Sequence, residues 1–270
     1  FACSALLVLT TGLPRSTAVK AKGGIYDNTT RGARLYLRTP RLRGLLAVTL
    51  AAAATSAMVI VNTPVLVQAA LGLGQREVAI TLAAFGGGSM LAALLLPRVL
   101  DKLPDRTVML AAAAAMTVAL AVLALAWHGH ASPNDWGVIL AGWAVLGIAY
   151  SASITPGGRL LRRSSGEDDR PALFAAQFAL SHVCWLVAYP LAGQAGAIGN
   201  MGIAFGVSAV LALIGTVIAF RIWPVADPEI VAHAHDDLAP DHPHLAEGHP
   251  EGKASHTFVI DELHPHWPIR

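Results

Sequence analysis

The chain has 270 residues, of which 54% are apolar and only 13% charged, with a mean hydropathy of +0.55. That is more apolar surface than a water-soluble fold of this length can bury, so lipid is the expected solvent, and no nucleic-acid partner is expected. The formal net charge of +2 conceals an asymmetry: the cations sit in a few short loops, and nearly all the acids sit in loops or near the C-terminal end.

Residues 1–13 (FACSALLVLTTGL) are apolar but shorter than the roughly 20 residues a crossing needs, and they read as the end of a truncated transmembrane helix. No basic segment precedes them and no small-residue cleavage site follows, which argues against a signal peptide. Residues 14–45 read as a basic loop carrying Arg15, Lys20, Lys22, Arg31, Arg34, Arg38, Arg41 and Arg43. Six apolar stretches follow at 46–68, 78–97, 107–127, 137–157, 172–193 and 202–221, so residues 46–222 form a six-helix transmembrane half-bundle. None contains Asp, Glu, Lys or Arg before Arg221, and their Ala/Leu-rich runs do not alternate as barrel strands do. Residues 223–270 form a tail.

Orientation follows from the cations. The turn with Arg98, Lys102 and Arg106 and the loop with Arg159, Arg162, Arg163 and Arg170 lie on the same side as the basic loop, whereas the opposite side has only Arg76. The cation-rich side and the tail are therefore expected in the cytoplasm of a multi-pass protein of the cell membrane, a bacterial inner membrane. Gly86-Gly87-Gly88 and the Gly202/Gly206 pair are expected to let helices approach closely. Pro64, Pro156 and Pro190 interrupt or end helices.

Between the second and third spans runs Pro97-Arg98-Val99-Leu100-Asp101-Lys102-Leu103-Pro104-Asp105-Arg106. This resembles the signature turn G-x-x-x-D-[RK]-x-G-R-[RK] of the major facilitator superfamily, matched in place by Asp101, Lys102 and Arg106. Pro97 and Pro104 stand where the signature has glycines, and Asp105 where it has arginine. A six-helix set behind a long basic loop is also similar to the second half of such a transporter, which implies an N-terminal six-helix half as partner. The spans together with the tail resemble the superfamily's nickel-resistance permeases, which end in histidine-rich cytoplasmic extensions.

Eight of the eleven histidines lie after residue 230: His233, His235, His242, His244, His249, His256, His264 and His266. Six of them form H-x-H pairs, in which an extended backbone turns both rings to one side, able to close on one ion. Pro240, Pro243, Pro250 and Pro265 favour that extended form, and the tail is expected to be largely disordered. Imidazole with nearby carboxylates suits nickel, zinc, cobalt or copper as substrate or tail ligand; no cofactor is expected. Phe258, Val259, Ile260, Leu263 and Trp267 are too apolar for a solvated linker, and docking against the cytoplasmic face competes with a stray apolar tract as their explanation.

Within the spans, polar groups are expected to face the bundle interior. His182 is the one mid-span residue of a type whose unperturbed pKa lies near neutrality. Gln177, Ser181, Cys184 and Trp185 share a side of that helix, and with Asn62 and Tyr150 they make up the expected substrate pathway. His128 and His130 fall in a short outer loop. The expected fold is thus an all-α membrane protein, and the expected activity is secondary active export of a divalent transition-metal cation, nickel foremost. Export of drugs or other organic solutes is the alternative, and a membrane-anchored metal buffer or sensor is another. No nucleophile–base set or phosphate loop points to an enzyme.

Overall fold

The computed structural model describes residues 2–11, 25–127, 132–198, 200–226, 230–234, 253–257, 259–260, 264 and 267. Helix α1 spans Ala2–Thr10, with Leu6, Leu7 and Leu9 exposed. Helix α2, Ile25–Arg38, occupies much of the segment read as a loop. Its signal is amphipathic rather than apolar. Leu35 and Tyr36 are buried, Arg34, Leu37 and Arg38 are exposed one turn apart, and the buried side rests on the fifth span. A helix half-covered by protein needs no long apolar run, so the hydropathy pattern does not announce it.

The six crossings follow. Helix α3 (Pro40–Pro64) starts with proline in its first turn, where the missing N–H costs nothing, and continues through a π-helical turn, Val65–Ala70. The others are α4 (Gln75–Leu100), α5 (Asp105–Ala126), α6 (Trp136–Ile154), α8 (Arg170–Ile198) and α9 (Met201–Ile222). A short helix α7, Gly157–Arg163, extends α6 beyond the break at Pro156, inside another segment read as loop. Helices α4, α6 and α9 run in one direction, and at the end away from most of the arginines α4 and α9 are capped directly and α6 through the 3-10 turn Pro133–Asp135 that precedes it. Glu77 accepts from the Gly74 N–H at 3.0 Å, Asp135 from the Ser132 N–H at 2.8 Å, and the Asn200 side chain from the Ile203 N–H at 3.1 Å.

Helix α3 is the centre of the bundle: 78% of its most apolar window is buried, and it packs on α9, α8, α6 and α5. Helices α4 and α8 are the least buried, at 22% each. Close approach depends on a few glycines. A Cβ at Gly88 would strike the Ala144 carbonyl and one at Gly147 the Phe85 carbonyl, which is how α4 and α6 pack; a Cβ at Gly215 would lie 2.5 Å from the Ala47 carbonyl across α9 and α3. Around Gly86, Gly87 and Gly206 the space is open, so the expected Gly202/Gly206 contact is not a helix crossing. Gly202 faces Trp127 instead.

The described part of the tail adds strands β1 (Ile230–Ala234) and β2 (Lys253–Thr257), paired antiparallel with Ile230 opposite Thr257 and Ala234 opposite Lys253. Ile260 belongs to the main apolar core, and Trp267 packs against that core.

Candidate functional site

The least buried spans carry the candidate pathway. On α8, His182 is exposed, and its Nδ1 lies 2.7 Å from the Phe178 carbonyl oxygen one turn back. A carbonyl can only accept, so Nδ1 bears a proton and donates to it. The Phe178 ring tilts over the imidazole at 4.2 Å between centroids, and the half-buried Trp185 meets it edge-on at 5.5 Å. Ser181 donates to the same Phe178 carbonyl at 2.8 Å. Ser181, His182 and Trp185 thus form one neighbourhood.

The other expected pathway residues lie elsewhere. Gln177 accepts a short hydrogen bond from the Tyr36 hydroxyl and so ties α8 to α2. Burial, with the Cys184 thiol adding to it, pushes the Tyr36 hydroxyl far above its ordinary range, so it stays a neutral donor at any physiological pH. Cys184 is packed with Ala53, Ala57, Ala188 and Ala192 in the seam between α3 and α8. Asn62, 1% exposed, donates to the Ala192 carbonyl at 3.1 Å across that seam. Tyr150 on α6 is half-buried, 5.5 Å from the Phe85 ring of α4.

At the arginine-bearing end, Asp101 and Lys102 lie exposed in the turn, whereas Arg106 Nε donates to the Trp223 carbonyl at 3.1 Å and its guanidinium stands 5.7 Å over the Phe220 ring. The buried acid of this turn is Asp105, 5% exposed, which accepts from Arg159 Nε at 3.1 Å and Nη2 at 2.5 Å. Its signal was present as an acid in the first turn of α5 just after Pro104, but comparison with the signature turn draws the eye to Asp101. Arg31 reaches Asp169 through Nε at 2.8 Å and Nη2 at 3.3 Å, fastening α2 to the start of α8.

Of the tail histidines, His235, His242, His244, His249 and His266 lie outside the described residues, as do His128 and His130. The ribbon register sets His233 opposite Ala254 and His256 opposite Val231. His264 is buried, at 4% exposure. Among the described residues no three His, Cys, Asp or Glu converge as a metal centre would require.

Six long apolar helices, five of them around a central one, with polar groups on the exposed face of a span, define a multi-pass helical membrane protein of the transporter class. The Major Facilitator Superfamily pattern matches residues 45–253, and the chain belongs to that family. No curated protein and no solved structure matches it.

Proposed function

We propose that the chain forms one half of a secondary active transporter that exports a divalent transition-metal cation, nickel first among them, by alternating access against a second six-helix half. The observation that carries this reading is His182. A polar imidazole on the exposed side of a barely buried span is costly against lipid and fits a water-filled path closed by more protein. The histidine-rich tail supports the choice of cation, since eight imidazoles beside Asp and Glu concentrate borderline metals at one mouth of such a path. The tail and the arginine-bearing end are proposed to be cytoplasmic, with their cations retained there. Asp101, Lys102 and Arg106 would serve as that face's signature turn.

A second reading, export of organic solutes, has its own support. His182 is flanked by aromatic rings, Phe85 and Tyr150 add two more, and π faces suit flat or cationic organic molecules. Uptake into inverted vesicles holding the full-length transporter separates the two. Nickel, zinc and cobalt are offered beside a set of aromatic cationic dyes. Accumulation of metal without dye is expected; accumulation of dye without metal would replace the leading reading by the second.

A further inference from the structure

We propose that the outward side of α2, formed by Arg34, Leu37 and Arg38, docks on the headgroups of anionic phospholipids, with Leu37 entering the acyl boundary between the two arginines. This surface depends on the membrane and not on the choice of cargo.

Depth is the first support. Arg31 pairs with Asp169 at 2.8 Å, a Cβ at Gly32 would strike the Ala172 carbonyl, and the Tyr36 hydroxyl bonds Gln177, so α2 keeps step with the first turns of α8. Helix α8 has 29 residues and begins at Arg170. Hydrocarbon takes roughly 20 residues of such a helix, which puts its arginine-bearing start, and α2 beside it, at the level of the headgroups. Only Thr39 separates α2 from α3, so the same stretch of chain then turns into the bundle.

Chemistry is the second. Positions 34, 37 and 38 share one face of a helix, and all three side chains are exposed, Leu37 to 46%. Between residues 28 and 43 the sequence places Arg31, Arg34, Arg38, Arg41 and Arg43 and neither Asp nor Glu. Arg31 is engaged with Asp169 and Arg41 is 1% exposed, so the outward charge of this stretch comes from Arg34, Arg38 and Arg43. Arg34 makes polar contacts of its own, among them Nη1 to Thr30 Oγ1 at 2.9 Å, which makes Arg38 the principal cation of the surface. At the acyl boundary Leu37 gains burial, the arginine stems lie along the lipid chains, and the guanidinium forks reach phosphate. A net-negative headgroup is favoured over a zwitterionic one because it brings no ammonium to repel them.

Native mass spectrometry of the full-length transporter with phosphatidylglycerol or phosphatidylcholine tests this, joined to cross-linking in proteoliposomes from a photoreactive benzoylphenylalanine in place of Leu37. Wild type is expected to prefer phosphatidylglycerol by about tenfold. Arg34→Gln/Arg38→Gln should lose that preference, and Arg34→Lys/Arg38→Lys should keep most of it. The exposed pair Arg98→Gln/Arg162→Gln removes the same charge from other turns and should leave the preference in place. No preference in wild type, or equal loss in both glutamine pairs, overturns the surface. A cross-link to lipid supports it, whereas a cross-link to another part of the transporter or to another protein puts a protein on this side of α2 and overturns it. Should the glutamine pair fail to fold, the cross-link decides alone.

Discussion

At the scale of single residues, the arginine-bearing end is fastened by acids paired with arginines, Asp105 with Arg159 and Asp169 with Arg31. Arg159 is 51% exposed on its side chain and Asp105 only 4%, so the two halves of this pair are unequal. Removing the arginine strands a buried carboxylate, whereas removing the acid leaves a cation that water can solvate. Arg159→Ala is accordingly expected to cost about 2–4 kcal/mol and Asp105→Asn about 1–2 kcal/mol, as read from thermal unfolding in detergent; equal costs would contradict this reading of the pair. His182 was legible from sequence because a lone imidazole inside an apolar run stands out. Asp169 was not, because a charge in an arginine-rich loop looks like solvated surface until α2 folds down and Arg31 meets it.

Among the secondary-structure elements, the spans were the most legible feature, since hydrocarbon demands a long uncharged run and the sequence contains six. The helices at the arginine-bearing end were not. Helix α2 is polar on its exposed side, and α7 lies behind Pro156 and Gly157, which read as a break. Glycine patterns also misled, because a spacing names a surface that could pack without saying which partner arrives. Gly88 touches the backbone of α6 and Gly206 touches nothing. Gly88→Leu should therefore destabilise the α4–α6 pair by about 1–3 kcal/mol, while Gly206→Leu leaves thermal stability within about 0.5 kcal/mol of wild type. Size-exclusion chromatography with thermal scanning of both variants measures this, and a larger loss for Gly206→Leu would overturn the assignment.

For the whole molecule, the architecture places a central α3 inside a ring of helices and leaves α4 and α8 with most of their surface free of the bundle. Helix α8 holds His182 with Phe178 and Trp185, whereas Phe85 of α4 meets Tyr150 of α6. The apolar residues from Phe258 to Trp267 hinted at docking, and Ile260 and Trp267 do pack on the main core. That Trp267 would meet Arg41 was not readable, because Arg41 lies far away in sequence. In the proposed transporter a tail would gather or sense ions but not alternate access, whereas His182 would contribute a ligand or a proton within the path. The direct test is nickel uptake by inverted vesicles at matched expression. Wild type should accumulate nickel, His182→Ala should insert normally and accumulate none, and loss of all tail histidines should weaken uptake only in part. Wild-type nickel uptake by His182→Ala would contradict the account and move the path to other residues.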